Sequence, residues 1–149
     1  MSYSLSFSKA VLTAVFIGDK IRQQHFDYIP SKHISEMLGM APATTVKVLR
    51  ALNQKGIIET REGARGGVRL ARKPRDITVL DVFEAIEQGN PLFHTNFGIK
   101  ATGERPTRAQ QAILDLFRDA EQTMHERLRA VTLEQLLQAT DGASGTTGA

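Results

Sequence analysis

The chain is predicted to be mainly α-helical, with one small two-stranded hairpin and a long C-terminal helix. Three observations predict this. Apolar residues recur at helical spacing over most of the 149 residues. A glycine-centred break, Gly39-Met40-Ala41, separates two short helical patterns. A glycine-rich segment, residues 61–67, separates two short β-prone runs.

Taken in order, Leu5 to Gln24 reads as a first helix, with Leu5, Ala10, Leu12, Ala14, Val15 and Phe16 expected to face inward. A connector follows to Pro30, from which Tyr28 and Ile29 return to the core. Ser31 to Leu38 reads as a short helix with Ile34, Met37 and Leu38 on one face. Gly39 supplies the turn, and Pro42 suits the first position of the next helix, where its missing N–H costs nothing. Thr44 to Lys55 carries Val48, Leu49 and Leu52 at helical spacing, and Val46 is grouped with them as core; Gly56 ends the helix. Ile57–Thr60 and Val68–Ala71 read as strands flanking a basic tip. Two helices joined by a short glycine turn, then a glycine-tipped hairpin, make a winged helix-turn-helix. Its second helix is the kind that enters a DNA major groove.

Ile77-Thr78-Val79 reads as an apolar turn or short strand, and Leu80 to Gln88 as a fourth helix burying Leu80, Val82, Phe83 and Ile86. Residues 89–106, with two prolines and three glycines, form a loop longer than an ordinary connection. Thr107 with Gln110 resembles a capping box, and opens a helix with an apolar stripe of Ala109, Ile113, Leu116, Phe117, Ala120, Met124 and Leu128. Thr132-Leu133-Glu134-Gln135 opens a last short helix in the same way. The expected division is therefore 1–88 as the DNA-binding domain, 89–106 as loop, 107–140 as a dimerisation helix with a short terminal helix, and 141–149 as a disordered tail.

Composition narrows the function classes. No apolar run reaches the ~20 residues of a membrane span, and no signal peptide is evident, so a cytoplasmic protein is expected. The sequence has no cysteine, which removes disulfides, thiol switches and thiolate-bound metals. The net charge of +3 is unevenly placed. Residues 1–75 hold 13 Lys/Arg against 5 Asp/Glu, and residues 76–149 hold 6 against 11. A basic half coinciding with the helix-turn-helix is an electrostatic footprint for phosphate binding.

Candidate DNA contacts follow from chemistry at each place. Ala43, Thr44, Thr45, Lys47 and Arg50 lie along the start of the recognition helix, where methyl, hydroxyl and cationic groups can meet base edges or phosphates. Arg61, Arg65 and Arg69 lie on the wing. Glycines beside Arg65 are expected to let the backbone approach DNA and the side chain enter a minor groove. Ser8 and Lys9 are candidates to clamp the DNA backbone from the first helix. Ile113, Leu116, Phe117, Ala120 and Met124 are candidates for a seam with a second copy, because a two-fold dimer doubles the DNA contacts on a palindromic operator. Gly63–Gly67 lacks the Lys-Ser/Thr ending of a phosphate-binding loop and precedes a strand. His25, His33, His94 and His125 are scattered, with no pair at ligand spacing, so neither a metal nor a catalytic site is expected. Two other classes stay open: a regulatory subunit whose acidic half binds a partner enzyme, and a small-molecule sensor using Phe93, His94 and Phe97 in the long loop. The operator, and any effector, are not legible.

Three segments in order carry a family resemblance. They are Gly63-Ala64-Arg65-Gly66-Gly67-Val68-Arg69-Leu70, then Ile77-Thr78-Val79-Leu80-Asp81-Val82-Phe83-Glu84-Ala85-Ile86-Glu87, then Val131-Thr132-Leu133-Glu134-Gln135-Leu136. Over residues 4–139 the chain resembles the Rrf2 family of winged-helix regulators, the group of IscR-like, NsrR-like and CymR-like repressors. The resemblance implies a homodimeric transcriptional regulator acting as a repressor, and no enzyme. Sensing members carry three cysteines in the loop before the long helix, as ligands of an iron–sulfur cluster. Residues 89–106 contain none, so a cluster-free member with no cofactor is expected.

Overall fold

The computed structural model describes residues 5–142. Six α-helices and a two-stranded sheet run in the order α1 (Leu5–Arg22), α2 (Ser31–Leu38), α3 (Pro42–Gln54), β1 (Ile58–Arg61), β2 (Gly67–Leu70), α4 (Val79–Glu87), α5 (Glu104–Arg129) and α6 (Leu133–Thr140), with a short 3-10 turn at Pro74–Asp76.

The core forms where helices with small residues admit their neighbours closely. Ala10, Ala14 and Ile17 of α1 are fully buried and meet Ile34, Val48 and Leu52 from the helix-turn-helix, Ile57 and Val68 from the hairpin, and Val82 and Leu133 from α4 and α6. Leu5 and Leu12 do not share this face. Three- and four-residue steps from Ala10 lead to Ala14 and Ile17, and Leu5 and Leu12 stand 67% and 52% exposed. Met37 is likewise exposed, leaving Ile34 and Leu38 as the inward pair of α2.

Gly39 closes α2 in the left-handed region at φ 61°, with its N–H and that of Met40 returning to Glu36 and Ser35 carbonyls. Pro42 opens α3. The β1–β2 ladder is antiparallel, pairing Ile58 with Leu70 and Arg61 with Gly67. Ile29 adds a bridge to β2 from outside the hairpin: it exchanges both backbone hydrogen bonds with Val68, at 2.8 and 2.9 Å. The connector therefore pins the hairpin to the body.

Residues 77–79 are the N-terminal side of α4. Thr78 forms a reciprocal capping box with Asp81. Thr132 forms the same box with Gln135 at the start of α6. The two lie side by side, joined by Val79 N–H to Val131 O and Leu133 N–H to Ile77 O, both 2.9 Å. Leu133 and Leu137 of α6 are fully buried, each contributing roughly 1.5–3 kcal/mol of apolar burial. α6 is thus built into the body formed by α1–α4 rather than standing with α5.

α5 begins at Glu104, three residues before Thr107, whose hydroxyl donates back to the Gly103 carbonyl at 2.8 Å. The expected cap at Thr107 with Gln110 is therefore corrected. At 26 residues the helix is about 39 Å long, and none of its residues is buried. Its C-terminal half meets α4 through His125 against Phe83, ring centroids 5.3 Å apart. Phe93 of the preceding loop stacks on Phe117 at 4.3 Å. Asp141, at the start of the expected tail, accepts two hydrogen bonds from Arg22, at 2.7 and 3.1 Å. The rest of that tail, 143–149, lies outside the described residues.

Candidate nucleic-acid interface

One face of the body carries α3 and the hairpin tip. Between them lies an open cleft of about 660 Å³, lined on one side by Val46, Arg50 and Asn53 and on the other by residues 60–64 and 66–68. Periodicity decides which side chains of α3 reach it. Thr45, Val48, Leu49 and Leu52 turn inward and are buried. Ala43, Val46, Lys47 and Arg50 are exposed, and Thr44 is half-buried. Among the described residues, no hydrogen bond or ion pair engages the side chains of Lys47 or Arg50, so both cations face solvent.

Two α3 assignments need correction. Thr45 is 1% exposed. Its hydroxyl accepts from Ser35 at 2.7 Å and donates to the Ala41 carbonyl at 3.2 Å, so it joins α2 to α3 and has no group left for DNA. Val46 is 52% exposed and is not core.

On the wing the three arginines have different roles. Arg69 forms an ion pair with Glu59, and that hydrogen bond, partly opposed by desolvation, raises the guanidinium pKa above its ordinary value. Arg61 donates to the Arg65 carbonyl at 2.7 Å. Arg61 and Arg69 both lie against the ring of Tyr28, at 4.1 and 4.5 Å from its centroid. Residues 59 and 61 project to one side of β1, with Arg69 opposite Glu59, so the register brings both guanidinium groups to the same ring. These two arginines brace the wing. Of the three wing arginines, Arg65 at the tip is the one whose exposed side chain has no hydrogen bond, ion pair or ring contact among the described residues. The glycines beside it serve the hairpin itself. A Cβ at Gly66 would overlap the Arg61 carbonyl oxygen, and one at Gly67, where φ is +150°, would overlap that of Ile29.

On α1 the two candidates separate. Lys9 lies one turn before Thr13, whose hydroxyl donates to the Lys9 carbonyl at 2.7 Å and touches Met40 in the helix-turn-helix turn. Ser8 instead lines an apolar groove of about 620 Å³ with Phe7, Val11, Leu12, Val15 and Leu128; neither Ser8 nor Lys9 lines the cleft between α3 and the wing. Tyr28 was not anticipated as part of the interface. Its signal was present in the sequence, as an aromatic residue immediately before Ile29, the residue that pairs with the wing strand.

The Rrf2 family model, described as an iron-dependent transcriptional regulator, matches residues 7–139. The chain belongs to the Rrf2 family. Among relatives of this Rrf2 protein, YwgB of Bacillus subtilis (strain 168), described as an HTH-type transcriptional regulator, is 37% identical over 44% of this chain and 42% of its own length. Protein rrf2 of Nitratidesulfovibrio vulgaris is 28% identical over 71% of this chain and 69% of its own. The chain spans about half the length of the first two curated relatives it matches, 42% and 57%. Two solved structures share the fold. IscR of T. potens superposes with a TM-score of 0.72 at 20% identity, covering 99% of this chain and 94% of that one. CymR, the global cysteine regulator of B. subtilis, gives 0.69 at 19% identity, covering 95% and 99%.

The iron in the family's description can be tested against the donors present. Iron–sulfur clusters are held by thiolates, and this sequence has no cysteine. Among the described residues no three His, Asp or Glu side chains converge as metal ligands. The donor set of this Rrf2 protein does not fit such a cluster. No helix among the described residues is long and apolar enough to cross a membrane.

Proposed function

We propose that this Rrf2 protein is a homodimeric, sequence-specific DNA-binding repressor of the cytoplasm, and that it holds no iron–sulfur cluster. α3 enters the major groove, with Ala43, Thr44, Lys47 and Arg50 toward the bases and phosphates. The wing tip places Arg65 in the flanking minor groove, braced from behind by Arg61 and Arg69, while Lys9 approaches the DNA backbone. The observation that carries this reading is that the cleft between α3 and the wing has Arg50 in one wall and the residues on either side of Arg65 in the other, while Lys47, Arg50 and Arg65 all present exposed, unengaged cations. Repression follows from occupancy: a dimer across two successive major grooves excludes other proteins from that DNA.

Two apolar surfaces support the dimer. Ile113 and Leu116 of α5 are 39% and 62% exposed, with Ala120 exposed and Phe117 and Met124 half-buried on the same stripe. The groove beside α1, flanked by the exposed Leu12, is the second. A second copy of the chain covers both, and soluble monomers seldom leave two such patches open.

The test is a titration of operator DNA at two salt concentrations, because neutralising phosphates releases counterions. Arg65→Ala should stay folded and dimeric and lose on the order of 1–3 kcal/mol of operator affinity. Unchanged affinity would remove Arg65 from the interface.

A further inference from the structure

Val46 is an unexplained exposure. It stands in the N-terminal half of the recognition helix, half in solvent, and the core makes no use of it. Steps of three and four residues place it in one row between Ala43 and Arg50, and it lines the cleft that opens toward the wing. Its side chain has only methyl groups. It can neither donate nor accept a hydrogen bond, so it gains free energy at a DNA surface only by covering something apolar. The major groove offers one prominent apolar group among the base edges, the C5 methyl of thymine. The neighbours Lys47 and Arg50 supply the donors that guanine acceptors require, which leaves Val46 with a distinct role in the same row.

From this we infer that Val46 is a specificity-determining residue that reads a thymine methyl in each half-site. The inference rests on the proposed DNA-binding function, and refines what α3 recognises.

The experiment uses the full chain and a duplex selected by the protein itself from a randomised library. Each thymine of one half-site is replaced in turn by deoxyuridine, which keeps every hydrogen-bonding group and removes only the methyl. The wild type should lose roughly three- to five-fold in affinity at one position, the scale that burial of a single methyl group supports. Val46→Ala removes exposed methyls and raises helix propensity, so the variant should fold. It should bind the thymine duplex about as weakly as the wild type binds the deoxyuridine one, and be indifferent to the methyl at that position. Any thymine read by Ala43 would stay sensitive in the variant. A flat deoxyuridine scan with tight, salt-dependent binding overturns the Val46 assignment alone. So does a Val46→Ala variant that keeps the full sensitivity at every position. Failure to select or bind any duplex overturns the DNA-binding function, and this assignment with it.

Discussion

Thr45 and Val46 are adjacent on α3, and the helix sends them to opposite sides. The Thr45 hydroxyl bridges Ser35 and the Ala41 carbonyl inside the turn between α2 and α3. Removing it leaves two partly buried polar groups without their partner. Thr45→Val should therefore destabilise the fold by about 1–3 kcal/mol in a urea titration, while operator affinity of the folded protein stays close to wild type. A stable variant that has lost DNA binding would return Thr45 to the interface. The sequence carried enough information for this distinction. Positions 45, 48, 49 and 52 form one helical face, and a hydroxyl at the first of them was read by its chemistry instead of by its phase. The same reasoning separates Leu12 from Ala10 and Ala14. The glycines beside Arg65 set it apart in the sequence; what the sequence could not show was that Arg61 and Arg69 are held by partners. That depends on the β1–β2 register and on Tyr28, some thirty residues upstream of the strands.

At the level of elements, the hairpin depends on its glycines for close approach between its own backbone segments. Gly67 packs directly against the Ile29 carbonyl, the group that accepts from Val68. Gly67→Ala should break this bridge, lowering stability by about 1–3 kcal/mol and speeding hydrogen exchange at Val68 and Ile29. Normal protection of both amides in the variant would show that the wing does not need the close approach. Helices α2 and α3 were legible because Gly39 and Pro42 mark a stop and a start by local backbone chemistry alone. The start of α5 was not. Pro106 looked like the end of a loop, yet a proline in the first helical turn forfeits no intrahelical hydrogen bond, and Glu104, Arg105 and Pro106 form that turn after Gly103 at φ 111°.

At the scale of the whole molecule, the proposed dimer would tie DNA binding to the exposed α5 stripe and the α1 groove. Leu116→Glu should yield monomer or aggregate by light scattering, and a steep loss of operator affinity, because one half-site engages only one α3 and one wing. A wild type that is monomeric at micromolar concentration and still binds a palindrome tightly would refute the dimer. The junction between α5 and α6 has a mechanical consequence. Residues 131 and 133 are stitched to the start of α4, so the C-terminal end of α5 is fixed to the body that carries α3 and the wing and would act as a fulcrum for the rest of the helix. His125 is also held against Phe83, so the free lever runs from there to Glu104, about 32 Å, and a swing of roughly 6° would carry its far end through about 3.3 Å, close to the rise of one base pair. In the proposed dimer, whatever sets the angle at that fulcrum also sets which half-site spacing the two reading heads can straddle.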